Sequence, residues 1–372
     1  MKRFLIYLFL AFCTTFAFAD QVNISTATLN PGGTSVQVTV SLAGTRLYTS
    51  YNMDITLPEG WSVEYRNDAP RVTMVKNGGI YPSTYDEDEE TFSYTHTVSC
   101  SYGEVGNRVL RVACISTSNE TFIATAGNLF RVYLQASPFA KPGTPNINIT
   151  ATDFATYDSQ SGVVSPYHFD DAVSNAVAVS TSATVPLVIS SSLWSTCVLP
   201  CVAAIPTGVT AYSCQSVEDD AVYLSPVNSL EAFTPYILYS EAAFSQNISG
   251  TIDATNYPAN SYVDDAANIL HGALADQIVS VGYVLQQSPE EAEPKFYDMD
   301  GVDFTIPAGK CWMTVPAGNN SPSIRLVIGA PTDLKTSLYQ QNGQIYNILG
   351  QPVSKPTSGQ IYILNGQKFL QK

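Results

Sequence analysis

Ser35-Val-Gln-Val-Thr-Val-Ser-Leu42, followed by Tyr51-Asn-Met-Asp-Ile-Thr-Leu-Pro-Glu-Gly60, decides the class of fold. Val36, Val38, Val40 and Leu42 alternate with polar residues, and Tyr51, Met53, Ile55 and Leu57 do the same in the second segment. Side chains repeat every two residues along a strand, so each segment has one apolar face and one polar face. Asn30-Pro-Gly-Gly33 breaks the chain before the first segment, and Pro58-Glu-Gly60 ends the second. Outward from there, residues 61–65, 71–75, 92–100, 109–116, 129–136 and 147–151 continue the series, and no amphipathic helix interrupts it. Many short strands at near-regular spacing predict an all-β sandwich.

The N-terminus predicts export. Lys2 and Arg3 precede the apolar run 4–12, and Ala17-Phe-Ala19 supplies a small-x-small exit before Asp20. That is the pattern of a secretory signal peptide over 1–19. The run is too short for a spanning helix, which needs about 20 apolar residues. Phe12 before Cys13 argues against a lipoprotein signal, which uses a small residue there. No later stretch is long and apolar enough to cross a membrane as a helix, so none is expected after signal removal.

Composition narrows the partners. The chain has 372 residues, with 17 Lys and Arg against 32 Asp and Glu. Loss of Lys2 and Arg3 leaves 15 against 32, a net charge of −17. Nucleic acid and anionic lipid both require basic surface, so neither is expected as a partner. Ser, Thr, Asn and Tyr are plentiful while charged residues are 13% of the chain, a surface suited to exported β domains and to sugar contact.

Six cysteines follow the signal: Cys100, Cys114, Cys197, Cys201, Cys214 and Cys311. An oxidising compartment permits disulfides. Cys100 and Cys114 flank a Gly106-Asn107 turn and are the candidates for a disulfide across a hairpin. Cys197-x-x-x-Cys201 has no second His or Cys pair at zinc spacing, so no metal site is expected there.

Four segments emerge: 1–19 as signal, 20–182 as the first sandwich, 183–330 as a second β-rich domain, and 331–372 as a short C-terminal β module. Ser, Ala, Thr and Val crowd residues 155–190, and 180–183 reads as a linker. The second domain shows short apolar runs at 187–189, 222–224, 236–239, 279–285, 311–315 and 324–328. Turns such as Ile205-Pro-Thr-Gly208 and Ile306-Pro-Ala-Gly309 separate them.

Two resemblances extend this reading. The opening strands quoted above, with Val109-Leu-Arg-Val-Ala-Cys-Ile-Ser116, Gly127-Asn-Leu-Phe-Arg-Val-Tyr-Leu-Gln-Ala136 and Ile147-Asn-Ile-Thr150, resemble cohesin-like domains in order across the first half of the mature chain. The resemblance implies a jelly-roll β-sandwich related to carbohydrate-binding modules. It also implies roles in docking a partner module or in surface attachment. Gln344-Ile-Tyr-Asn-Ile-Leu-Gly-Gln-Pro-Val353 and Ser358-Gly-Gln-Ile-Tyr-Ile-Leu-Asn-Gly-Gln-Lys368 are similar to the C-terminal sorting domain of type IX secretion substrates. Tyr346, Gly350, Gln351, Val353, Gly359 and Tyr362 carry that likeness, Tyr362 one residue later than the simple pattern places it. Residues 185–330 also look like a domain that often precedes such sorting sequences.

No catalytic constellation stands out. His96, His168 and His271 are the only histidines, and none lies in an H-E-x-x-H pattern. There is no G-x-S-x-G elbow, P-loop or dinucleotide fingerprint. A glycosidase needs only two acids converging in space, and no pair is nominated. Asp86-Glu-Asp-Glu-Glu90 carries enough carboxylate for calcium, yet adjacent acids more often form a solvated loop. Asp298-Met-Asp-Gly-Val-Asp303 is shorter than an EF-hand loop and lacks its closing Glu, so it reads as a turn. Calcium at the acidic run is therefore the one cofactor left open. Trp61, Tyr81, Tyr85 and Trp194 are the candidate sugar-stacking aromatics, against the commoner fate of an aromatic in a sandwich core.

These features predict a non-enzymatic binding or adhesion protein, extracellular or at the outer cell surface, that recognises a protein module or a glycan. A polysaccharide-binding accessory protein is the alternative, and an unrecognised glycoside hydrolase the third reading.

Overall fold

The computed structural model describes residues 20–103, 107–288, 293–329, 345–347, 351–353, 357–358, 360–364 and 367–370. The segment expected to be a signal, 1–19, lies outside them. Among the described residues there is no helix, and the chain is a succession of strands.

The alternating segments form strands that bury their apolar faces. Val38, Val40 and Leu42 of Val36–Ala43 and Tyr51, Met53 and Ile55 of Ser50–Thr56 are all buried. One antiparallel sheet runs Gln21–Ile24, Val36–Ala43, Ala126–Ala136, with Trp61–Val63 and Val72–Met74 both beside Ala126–Ala136. The other runs His96–Tyr102, Val109–Ser116, Ser50–Thr56, Ile147–Asp158, Val163–His168, and Ala172–Ser174 also pairs with Ile147–Asp158. The two pack into a jelly-roll-like sandwich closed by a parallel pair, Ala27–Leu29 with Val177–Val179.

Two bulges let long strands serve this core. Ile147–Asp158 buries Ile147 and Ile149, then Thr152 and Phe154. The register shifts between Thr150 and Asp153, where Ala151 takes a left-handed φ of 49°. An extra residue moves every later side chain to the opposite face. The same phase change follows Asn128 in Ala126–Ala136, where Leu129 and Phe130 are both buried.

Aromatic rings fill the centre. Tyr51 hydroxyl donates to Tyr81 hydroxyl (2.8 Å), which donates to the Leu129 carbonyl (2.9 Å). Burial pushes both phenols well above their usual pKa. His96 lies beside them, its Nε2 bonded to Thr49 O and its Nδ1 to Thr95 Oγ1, each at 3.0 Å.

The second unit is built on a ten-stranded path from Trp194–Cys197 to Tyr262–Asp264, in which Ala221–Pro226 and Ser323–Ile328 pair in parallel. Ser182–Ile189 pairs with Phe244–Thr251 beside it. The run expected at 279–285 is two strands, Gln277–Val279 and Tyr283–Gln286, because Gly282 turns the chain at φ +117. The expected linker at 180–183 is partly strand, since Ser182 and Ala183 pair with Thr251 and Gly250.

Phe139 joins the units. It belongs to the segment after Ala126–Ala136, yet its ring sits in the hydrophobic core of the second unit. Tyr257 hydroxyl donates to its carbonyl. Gly309, at φ +85, leaves the ring room, since a Cβ there would lie 3.3 Å from it. Thr184 N also donates to Pro31 O across the junction (2.8 Å).

At the C-terminus, Ile345–Asn347, Pro352–Val353, Ile361–Leu364 and Gln367–Leu370 form a four-stranded antiparallel sheet.

Phe139→Ala is expected to cost about 3–5 kcal/mol, as for other buried Phe truncations, and to lower the calorimetric transition of the second unit more than that of the first. His96 gives a pH signature. Burial holds its pKa below the usual 6.5, against weaker opposing pulls from the Thr49 backbone and Glu120. The unfolded chain therefore takes up the proton first as pH falls. Stability of the first sandwich should decline from about 6.5 toward the lower folded value, and His96→Gln should remove that component in urea titrations across this window.

Candidate functional site

The outer face of the sheet holding Ser50–Thr56 is the candidate site. Burying Tyr51, Met53 and Ile55 turns Asn52 and Asp54 outward. Register then lays out rows across the strands. Ser99, Ala113, Asn52, Asp153 and His168 stand side by side, one from each of five strands. The next row holds Ser101, Arg111, Asp54 and Thr150. Thr97 and Ile115 lie on the other side of the first row.

Two cross-strand pairs stiffen this face. Arg111 Nε and Nη2 donate to the two Asp54 oxygens at 2.8 and 2.7 Å, and His168 Nδ1 meets Asp153 Oδ1 at 2.8 Å. Exposed pairs like these add little stability, about 0–1 kcal/mol, but they fix where charge sits. Small hydroxyl, amide and methyl side chains make up most of the remainder. Ile115, Val164 and Val173 are exposed on the same sheet. Among the described residues, no strand is stacked on this outer face.

The sugar-stacking candidates separate. Trp61 and Tyr81 are 4% and 3% exposed and belong to the core. Trp194 is half-buried against Tyr212 and Tyr239. Tyr85 is 50% exposed and faces Phe92, 54% exposed, with ring centroids 4.9 Å apart on a hairpin tipped by the acidic run. Phe92 was missed, although it follows that run by two residues and stands opposite Tyr85 in the hairpin. Tyr65 was missed too. The alternation Trp61, Val63 would bury it, but the Asn67-Asp68 turn, with φ of 53° and 60°, folds 65–70 into a separate outward ribbon.

At the acidic turn, Asp86 Oδ1 accepts from Asp88 N (3.0 Å) and Glu89 N (3.3 Å), so one carboxylate is occupied by its own backbone. Asp298 Oδ1 likewise accepts from Asp300 N (3.0 Å), the expected turn. Among the described residues, no group of three or more His, Cys, Asp or Glu is arranged to hold a metal ion.

The proposed Cys100–Cys114 disulfide does not fit the register. Cys100 stands opposite Val112 and Cys114 opposite Val98, a diagonal placement with Cβ atoms separated by about 7 Å. A disulfide needs about 3.5–4.5 Å. Both are free thiols, as are the other four cysteines of the mature chain.

Two polar constellations had no sequence signal, because their members are far apart in the chain. Asp264 Oδ1 bonds His271 Nδ1 (2.6 Å), and His271 Nε2 bonds Thr314 Oγ1 (2.7 Å). The line resembles a carboxylate–imidazole–hydroxyl relay. Neither His271 nor Thr314 lines the cleft beside Lys310 or the one between the two units; the line ties Tyr262–Asp264 and Leu270–Ala273 to the residue that follows Cys311–Met313. Lys310 Nζ donates to Ser195 Oγ (2.7 Å) and to the Val188 and Thr196 carbonyls (both 3.4 Å). Burial lowers its pKa. The two carbonyls can only accept, so the amino group donates to both and is seated between Val188, Ser195 and Thr196.

Of the sorting-like residues, Gly350 and Gly359 lie outside the described residues. Tyr346 is in Ile345–Asn347, Val353 in Pro352–Val353, and Gln351 N donates to Asn347 Oδ1 (3.0 Å). Tyr362 is buried and its hydroxyl accepts from Thr357 N (2.7 Å).

No protein-family model matches the sequence, and no curated protein is significantly similar to it. Solved structures with a similar backbone include cohesin modules. A non-cellulosomal cohesin from the archaeon Archaeoglobus fulgidus is 13% identical, with 44% of this chain covering 91% of that one at a TM-score of 0.27. The sixth cohesin of Acetivibrio cellulolyticus scaffoldin B, solved in complex with a Cel5 dockerin mutant, is 16% identical over 44% of this chain and 98% of that one, TM-score 0.26. A type II cohesin dyad from the same organism's ScaA scaffoldin is 9% identical over 84% of this chain and 97% of that one, TM-score 0.27. At such scores the all-β class rests on the strand pairing itself, not on these likenesses.

Burial raises the pKa of every mature cysteine, Cys114 and Cys197 to about 12. Since the thiolate is the reactive form, the native chain from Asp20 onward should resist iodoacetamide at neutral pH, with half-buried Cys100 reacting first. In concentrated guanidinium without reductant, mass spectrometry should count six labels; four would restore a disulfide.

Proposed function

We propose that this is an exported, surface-associated, non-catalytic binding protein that docks a partner protein module on the open sheet face of its first sandwich. The observation that carries this reading is the flat, ion-paired, small-residue face running across five strands. Strands at about 4.8 Å spacing and eight residues at about 3.3 Å give a platform about 20 by 25 Å. That is of the order of the ~800 Å² each partner gives a standard interface. Hydroxyls and amides supply hydrogen bonds there, while Ile115, Val164 and Val173 supply apolar contact around them. Export is supported by the signal-like 1–19. Asp20, the first residue after it, is already anchored, accepting from Thr45 N (2.6 Å) and Thr45 Oγ1 (2.9 Å). The sorting-like residues of the C-terminal module support delivery to, or beyond, the outer cell surface. A second reading, that the protein holds polysaccharide, is favoured by an aromatic cleft between the two units.

Photo-cross-linking tests the docking reading. A photoreactive residue at position 99 or 52 in the full chain should trap one partner protein in the producing cells, and one at Thr73, on the opposite sheet, should not. The Arg111→Glu/Ile115→Asp double variant should weaken binding of that partner about tenfold or more, as expected for residues central to an interface. Equal trapping from both sheets, or none from positions 99 and 52, would sink the reading.

A further inference from the structure

The largest cleft described lies where the sandwiches meet. It encloses about 800 Å³ and draws its walls from both units, a size within the range of about 300–1,000 Å³ typical of ligand sites. Domain junctions are favoured places for such sites, because binding there engages two rigid bodies at once. This junction is fixed by the Phe139 ring in the second core.

The walls are rings bordered by balanced charge. Tyr65 is 52% exposed and meets Tyr102 edge to face, with centroids 6.5 Å apart. Tyr257 stands on the second unit. The Tyr102 hydroxyl donates to Trp61 O (3.3 Å), and the Tyr257 hydroxyl donates to Phe139 O. Their O–H donors are therefore committed to backbone, which fixes the rings and leaves their apolar surfaces as the feature facing the cleft. Lys141 Nζ lies 5.9 Å from the Tyr257 ring centroid. Arg108 is held by Nε donation to Leu57 O (3.0 Å). On the acidic side, Asp276 Oδ1 accepts from Ala308 N (3.0 Å), and Glu59 lines the opposite unit. Among the described lining residues, two cations, Arg108 and Lys141, balance two carboxylates, Glu59 and Asp276, in a chain of net charge −15.

A ligand matching these walls has flat apolar faces, a rim of groups that both donate and accept, and no formal charge. We infer that the cleft binds a short neutral oligosaccharide, its sugar rings against Tyr65 and Tyr102 and its hydroxyls on Lys141, Asp276 and Glu59. An acidic saccharide would be opposed by the field of the whole chain. The inference rests on the polysaccharide-holding reading and gives it a place and a ligand class.

The test is isothermal titration calorimetry of the full secreted chain with cello-, xylo-, manno- and maltohexaose. At least one should bind. Tyr65→Ala and Lys141→Ala should each weaken that binding about tenfold, the scale of one lost aromatic or polar contact. Tyr85→Ala, an exposed aromatic on the distant acidic hairpin, should leave it unchanged. Tyr65 and Lys141 are solvent-facing, and unchanged thermal transitions would show that the variants fold. Binding to none of the four, binding that survives both cleft substitutions, or binding lost only in Tyr85→Ala would overturn the inference. Cross-linking from position 99 on the same preparation reports the docking face separately, so failure of the cleft is distinguishable from failure of the protein-docking reading.

Discussion

A β-sheet has two faces, and a two-layer sandwich buries one of each. That constraint governs the first unit. Once Tyr51, Met53 and Ile55 point inward to meet Phe130 and Phe154, Asn52 and Asp54 must point outward. Ser50–Thr56 lies centrally in its sheet, so its outward row is continued on both sides by neighbouring strands. The open face and the aromatic core are thus two consequences of one alternation. A one-residue slip would exchange them, placing Asp54 among the rings and Met53 in water. The buried Tyr51–Tyr81–Leu129 hydrogen-bond line opposes such a slip, because it is satisfied only when Tyr51 faces inward.

Much of the fold was legible for the same reason. Period two is written into Val36–Ala43, Ser50–Thr56 and Val109–Ser116 without interruption, and those strands lie within a residue of where alternation places them. Legibility failed where the phase changes. The alternation of Ile147–Asp158 breaks at Ala151, because the bulge there moves burial from odd to even positions, while the strand runs on to Asp158. Gly282 divided one apolar run into two strands by a backbone angle that alternation does not record. The face was legible as a polar row, but its membership was not: Asp153 joins Asn52 through a pairing of strands about a hundred residues apart in the chain, and His168 follows as the partner of Asp153. The aromatic candidates separated for a related reason. Composition marks a ring, while exposure depends on whether its strand belongs to the sandwich or, like Tyr65 and Tyr85, to a ribbon outside it.

The junction depends on a different interaction. Phe139 leaves its own unit and is buried among Val185, Leu187 and Val198 of the other. An anchor of this kind removes relative motion that a polar domain contact would permit. It also positions the segment 137–141 so that Ser137, Phe139 and Lys141 border the cleft. The cleft is therefore a product of two chain-distant folds held at one angle, and no local run of sequence describes it.

The two candidate surfaces differ in how they handle charge, and this bears on how they could be used together. On the sheet face, Arg111 and Asp54 neutralise one another at hydrogen-bond distance, leaving a surface that offers shape and short polar contacts. In the cleft, Asp276 comes from the second unit and Glu59, Arg108 and Lys141 from the first, so groups of both signs border the space between the units. The face belongs to the first unit alone, whereas the cleft needs both units. A partner on the face therefore leaves the Phe139 junction undisturbed, and a ligand in the cleft tightens it without covering Asn52 or Ala113. Two surfaces without a shared residue or a shared hinge bind independently to first order. Such an arrangement can hold one ligand while docked to another, which is the physical requirement for a protein that tethers a polymer to a surface rather than acting on it.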